Sequence, residues 1–562
     1  MIRLITIFTI LLALVPIYGQ DAAPRNQDVE LANVQPEPPA IEILHTELDA
    51  VGWAFDALAQ YPEEDRSYIR FVYLPPYATP NWVGVMDTAI NMACSQSPIL
   101  HRSDRFAGGY LLGYNLRRLC PQPAQLERLI NVWDGIAVNE SQFHVPQINV
   151  QKARGTERAV ETKIALLAPH LQEALAKHAT DATQSERIDV LVTQLTNSTG
   201  GIYPAAWFLE QLLTSVRGKY PEFRQIDFTS VEGFTPFQSL LKKRGFFFEQ
   251  SLDLNGAKGA YLIQSDITGK NRLILATYGL SGGRPMVVTF DIKDNRTRPD
   301  EQFVRNLITF DPLVDASEAF IPMTNGLIEY VLADGAGNIQ RVAPPDIVAD
   351  DNKPRGHTKE LEMGMSCVIC HSPENGYKSL RNDMEFILGA DVDFVGEDYS
   401  LDYTDRSGQS WKLTRDEAIS ILASRFGERI DDPDGVLGRA RRDFIRSVDV
   451  LTEYPVVADG NTAVQQLGED IQSIYHGYRY RKIGAQQVLL ELGIKAPAEQ
   501  SLSLLRQIVP PSPAGQREDI LISLLRNGAE LKRDDMDGIF VEMARRAVIT
   551  RPQLKAALEQ EN

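Results

Sequence analysis

Five consecutive residues of this chain combine two thiols and an imidazole: Cys367-Val368-Ile369-Cys370-His371. The spacing C-x-x-C-H is the attachment pattern of a c-type haem. Two thiols three positions apart can each bond one vinyl group at the porphyrin edge, and the imidazole that follows then reaches the iron. Cys367 and Cys370 are therefore expected as thioether anchors and His371 as the proximal axial ligand. Three other readings use the same residues. A redox-active dithiol accompanies a βαβ pattern, which the sequence lacks. Half of a zinc site needs a second C-x-x-C or an H-x-x-x-H pair, and the sequence holds neither. The third is coincidence. One copy of the motif implies one covalently attached haem c, against a multi-haem wire or a two-haem peroxidase.

The group on the other side of the iron decides between electron relay and ligand chemistry. Met384, in Asn382-Asp383-Met384-Glu385, and His357, ahead of the motif, are the candidate distal ligands. His476, Met536 and Met543 are more remote, while Met363 and Met365 belong with the proximal side. A Met or His ligand favours outer-sphere electron transfer, and an open position admits small molecules.

Other chemistry is sparse. The sequence contains no G-x-S-x-G elbow, no H-E-x-x-H and no Walker A pattern. His170 and His178 share a helical face without a third ligand nearby, which reads as a solvated pair. The run from Asp391 to Asp405 carries six acids. It reads as a solvated loop or, more sharply, as a calcium site, although its spacing fits no EF-hand. Arg439-Ala440-Arg441-Arg442 is a basic patch suited either to solvent or to an acidic redox partner.

The chain has 562 residues, a formal net charge of −18 and an apolar fraction of 43%. The charge argues against a nucleic-acid binder, which neutralises phosphates with Lys and Arg. The apolar content is that of a folded globular chain. Residues 1–19 pair one early cation, Arg3, with an apolar run and a small residue, the pattern of a secretory signal peptide. That run is shorter than a membrane span needs. No second stretch approaches such a span, so the mature chain is expected without one and in a periplasmic or secreted location. Export places Cys94 and Cys120 where disulfides persist, and a disulfide between them is expected over a pair of buried thiols.

The elements that must position the motif follow from periodicity. Residues 20–40 form a Pro-rich linker poor in large hydrophobes. Residues 41–145 read as a mixed α/β unit, with helices near 47–58, 82–95 and 125–133 around an extended run at 68–74. Residues 146–235 are a helical segment. Residues 236–350 form a β-rich domain with runs at 260–264, 273–278, 286–292, 328–333 and 339–342. Asp334-Gly335-Ala336-Gly337 predicts a hairpin between the last two. Residues 351–410 carry the haem attachment segment. Residues 411–562 form a helical C-terminal region, opened by the capping box Thr414-Arg415-Asp416-Glu417 and patterned over 436–451, 464–474, 485–492, 520–525 and 539–547. The fold class is α+β, multidomain.

Asn325-Gly326-Leu327-Ile328-Glu329-Tyr330-Val331-Leu332-Ala333-Asp334-Gly335-Ala336-Gly337, Asp346-Ile347-Val348-Ala349-Asp350 and Gly364-Met365-Ser366-Cys367-Val368-Ile369-Cys370-His371 carry a resemblance. So, more weakly, do Tyr114-Asn115-Leu116-Arg117 and Ala206-Trp207-Phe208. In these the chain is similar to large exported bacterial mono-haem cytochrome c domain proteins. The resemblance implies a secreted haem protein held through Cys367, Cys370 and His371, and supplies no substrate. The expected function is single-electron transfer between redox partners, either another redox protein or a small donor or acceptor. A haem enzyme or small-ligand sensor with an open iron site, and an envelope scaffold with an incidental haem, are the alternatives.

Overall fold

The computed structural model describes residues 41–45, 47–95, 97–127, 129–130, 133, 202–210, 212–213, 258–262, 272–277, 286–292, 314–335, 340, 342–343, 359–377, 400–404, 410–426, 436–452, 454, 462–509, 511, 517–536, 539 and 543. The leader, the linker, both members of the His170 and His178 pair, His357, Met384 and most of the acidic run lie outside these residues.

Strand β1 (Glu42–Ile43) precedes helix α1 (Glu47–Leu58), which places Ala50, Ala54, Ala57 and Leu58 on one buried face. The extended run becomes β2 (Ile69–Tyr73), and the next helix, α2 (Asn81–Cys94), is buried from Val83 onward. Strands β3 (Asp104–Phe106), β4 (Leu111–Asn115) and β5 (Ile202–Pro204) complete a sheet of order β3-β4-β2-β5. The short helix α3 (Leu116–Leu119) is capped by Asn115, whose side chain accepts from the Arg117 N–H, and α4 (Ala205–Glu210) follows β5 directly. β2 is buried on both faces. Ile69, Phe71 and Tyr73 pack with α1, and Val72 packs with α2, as a continuous apolar run should when it bridges two layers.

The central β region is a five-stranded antiparallel meander: β6 (Lys258–Leu262), β7 (Arg272–Thr277), β8 (Met286–Ile292), β9 (Val314–Pro322) and β10 (Ile328–Asp334). Strand β10 pairs with β9 through a tight turn in which Met323 donates to the Leu327 carbonyl and Gly326 has φ +90°. Of the hairpin expected after β10, residues 336–339 and 341 lie outside the described residues, and Gln340 bonds back to β10 at the Leu332 carbonyl. Beyond it β11 (Val342–Ala343) pairs with β12 (Leu361–Glu362), beside the cysteine motif.

The motif lies on α5 (Met365–His371). A second hairpin, β13 (Ser400–Thr404) and β14 (Ser410–Thr414), leads into α6 (Arg415–Phe426). The Thr414 N–H donates to the Glu417 carboxylate and the Glu417 N–H donates to the Thr414 hydroxyl, the reciprocal pair of a capping box. Helices α7 (Val436–Thr452), α8 (Ala463–Arg479), α9 (Ala485–Glu491), α10 (Ala498–Ile508) and α11 (Arg517–Arg526) follow, with β15 (Ile494–Lys495) between α9 and α10 pairing back to β1. The fold is mixed helix and sheet. One continuous core joins α2, the five-stranded sheet, α5, α7 and α8, and a second lies among the helices after Ile483. Among the described residues no helix is long and apolar enough to cross a membrane.

Candidate functional site

Helix α5 is fixed at both ends. At its start Gly364 takes φ +86°, and its carbonyl accepts from the Val368 N–H at 2.9 Å. The Glu362 N–H donates to the Ser366 hydroxyl at 3.0 Å, while its carboxylate accepts from the Tyr475 hydroxyl of α8 at 2.6 Å. At its end Asn375 is left-handed, and Gly376, with φ +91°, donates to the His371 carbonyl at 2.9 Å. A Cβ on Gly376 would lie 2.5 Å from the Phe444 ring, so both sterics and backbone angle require glycine there. The first turns of α8 grip the same loop. The Thr462 hydroxyl donates to the Asn375 side-chain oxygen, the Gln465 amide donates to the Pro373 carbonyl at 2.7 Å, and Gly468 lies directly against Ser372.

Held in this way, Cys367, Cys370 and His371 all line one pocket with Arg272, Asp291, Glu318 and Leu332 among its other walls. The enclosed part of the pocket is about 40 Å³, and the rest of it opens to solvent. Cys367 and His371 are buried and Cys370 is half-buried. The imidazole meets the Phe320 ring edge-on at 4.7 Å and stacks on Tyr330 at 5.6 Å. Its Nε2 stands 3.6 Å from a Glu318 carboxylate oxygen, and its buried Nδ1 has no hydrogen-bond partner. Beside them Arg272 binds Asp291 through two bonds, of 2.8 and 3.1 Å.

The electrostatics follow from burial and these pairs. Burial pushes the Cys367 thiol well above its ordinary value, and the Glu318 carboxylate pushes it further. Burial also pushes Glu318 upward, but its bond to His371 and the nearby Arg272 outweigh that and hold its carboxyl below the usual value. Cys367 is therefore a buried protonated thiol beside an ionised carboxylate.

The donor set fits a c-type haem. Two thiols and one imidazole on adjacent helical turns line a single pocket, whose apolar walls include Leu332, Ala333, Ala343 and Leu361. Glu318 meets His371 at Nε2, and a metal bonded to that nitrogen would require the contact to open. The three residues expected at the site are thus brought together. The candidate distal ligands His357 and Met384 lie outside the described residues, as do 391–399 and 405 of the acidic run. His476 packs with Tyr475 and Tyr480, and Met536 and Met543 are buried in the second core, so none of the three lines the pocket. Arg441 of the basic patch donates to the Tyr377 carbonyl at 2.8 Å, while Arg439 and Arg442 are exposed. Cys94 and Cys120 are both buried, and the disulfide expected between them is not formed in the structure. Their segments nevertheless adjoin, since the Ser97 N–H donates to the Leu119 carbonyl at 3.2 Å.

Sequence reasoning missed Glu318, Arg272, Asp291, Phe320 and Tyr330. For two of them a signal existed. Arg272 opens one apolar run and Asp291 closes the next, and antiparallel pairing makes them direct cross-strand partners. Glu318 carried none, because Asp315, Ser317 and Glu318 conceal the strand that holds it.

Comparisons with family models, with curated proteins and with solved structures find no match to this chain.

Proposed function

We propose that this chain is an exported mono-haem c-type cytochrome that passes single electrons between redox partners. The observation that carries the reading is the convergence of Cys367, Cys370 and His371, from one helix, on the wall of one partly apolar pocket. A c-type haem bound there supplies a one-electron iron couple. Each cysteine anchors the ring edge as its S–H adds across one vinyl double bond. His371 presents an imidazole nitrogen to the iron, and Phe320 and Tyr330 clamp the imidazole ring.

The state of Cys367 weighs against a redox dithiol. Thiol–disulfide exchange needs an accessible thiolate of lowered pKa, whereas this thiol is buried and shifted upward. The apolar leader and the resemblance to exported mono-haem cytochrome c domain proteins support a periplasmic or secreted location. The partner is then another redox protein or a small electron donor or acceptor, and the net charge of −18 weighs against nucleic acid.

A second reading is a haem enzyme or small-ligand sensor with an open iron position.

The full chain, matured in a host that attaches c-type haem, is expected to carry one haem that survives denaturation. Exchange of both Cys367 and Cys370 for Ser should abolish that attachment. His371→Ala should keep the attached haem and change the visible spectrum. A colourless chain with both sulfurs free, or bonded to each other, overturns the proposal. Carbon monoxide added to the reduced protein separates the two readings: no binding supports the relay, and rapid binding without denaturant supports the open site.

A further inference from the structure

Glu318 stands in β9, hydrogen-bonded on both sides to β8 and β10, where its cross-strand neighbours are Thr289 and Leu332. Strand alternation puts it on the same face as Phe320, whose ring touches His371. A residue in the middle of a sheet cannot swing its Cα away, so its carboxylate is aimed at α5 by the backbone. There it is the only ion-pair partner of His371 among the described residues, at 3.6 Å from Nε2.

The surrounding charges do not cancel. Arg272 and Asp291 form a two-bond pair, buried to 9% and 7% side-chain exposure, and neutralise each other. Glu318, at 15% exposure, remains as an additional negative charge on the pocket wall. Burying a carboxylate is unfavourable unless something compensates it. In this structure the His371 contact and the nearby Arg272 supply that compensation, and in the haem reading a cation at Nε2 would take over from the His371 contact. A fixed negative charge favours the more positive, ferric state of such a cation, and a site shielded from solvent resists salt screening.

We infer that Glu318, fixed in β9 beside His371, holds the iron at a low potential through its negative charge. The inference rests on the haem reading above. Glu318→Gln removes the charge while keeping the side chain's shape and one acceptor oxygen. In the full chain matured with haem, the fraction that carries covalent haem is the one compared with the parent. Its midpoint potential should rise by the equivalent of at least a tenfold loss of ferric preference, about 59 mV for a one-electron couple. The rise should persist at high salt. Glu318→Asp keeps the charge and should stay nearer the parent than the Gln chain does, an outcome that a purely steric role for this side chain does not produce.

A haem-loaded Gln chain with the parental potential overturns the inference and leaves the haem reading standing. So does loss of fold in both variants, read by circular dichroism, because the role claimed requires a fold-neutral exchange. A colourless parent removes the haem reading itself, and that result is visible before any variant is made.

Discussion

Gly468 tests how tightly α8 holds the C-x-x-C-H motif. An added Cβ at this position would lie 2.3 Å from the Ser372 Cβ and 2.8 Å from its hydroxyl, in the turn that directly follows His371. Neither atom is the far end of a flexible chain. Gly477, on the same helix, has nothing within 4 Å of an added Cβ. Gly to Ala inside a helix normally gains up to about 1 kcal/mol, and that gain applies at both positions. Overpacking a filled site costs typically about 1–3 kcal/mol, and that cost applies only at 468. Gly477→Ala is therefore expected to stabilise the chain. Gly468→Ala should fall below it by about 1–3 kcal/mol, the overpacking cost alone. Urea unfolding followed by circular dichroism measures the difference, and covalent haem yield reports whether the motif has been displaced. In Gly468→Ala combined with Ser372→Gly the nearest remaining atom is the residue 372 Cα, at 3.7 Å. The pair should then show favourable coupling of about 1 kcal/mol or more in a double-variant cycle. The Ser372 hydroxyl's bond to the Val368 carbonyl is lost in both backgrounds and cancels. If Gly468→Ala proves as stable as Gly477→Ala, the close helix contact is not what positions the motif.

The buried Asp87 should leave a signature in pH. Burial pushes its carboxyl up to about 6, against the lowering bonds from the Tyr114 hydroxyl and Ser103. An unfolded aspartate titrates near 4, so the folded chain retains a proton over the interval from about 4 to 6. Its stabilising effect is complete below about 4 and is lost as pH rises through about 6. The stability of Asp87→Asn relative to the parent should therefore increase over that window, by up to about 3 kcal/mol, and a flat difference in urea midpoints contradicts this. The Arg272–Asp291 pair makes an independent test: Arg272→Met alone should destabilise by about 3–5 kcal/mol by stranding a buried charge. Adding Asp291→Leu should restore most of that loss, and additive losses would show that the two charges do not depend on each other.

Much of the local structure was legible. The helices expected over 82–95, 436–451 and 464–474 appear as Asn81–Cys94, Val436–Thr452 and Ala463–Arg479, because their apolar residues recur at helical spacing and each is long. The Thr414–Glu417 capping box formed because both partners lie within one turn. Strand β9 was not legible, since Asp315, Ser317 and Glu318 interrupt its apolar pattern, and only the neighbouring strands make it a strand. The turn expected at residues 334–337 lies partly outside the described residues, and Gln340, on its far side, bonds back to Leu332. Helix α10 was also missed, although Ser501, Leu504, Leu505 and Ile508 give it a buried face.

The candidate site divides in the same way. Thiol, thiol and imidazole at fixed spacing are a covalent fact of the chain, and their capacity to hold a porphyrin edge and an iron needs only one short helix. Which groups face that helix is settled by contacts between residues dozens to hundreds of positions apart. Glu318 reaches His371 from a strand 53 residues earlier, Tyr475 holds Glu362 from 113 residues away, and Gly468 meets Ser372 from a separate helix. Local spacing encodes the ligand, because bonded geometry is short-ranged. The charge around that ligand depends on burial and on sheet register, which exist only once distant segments have packed.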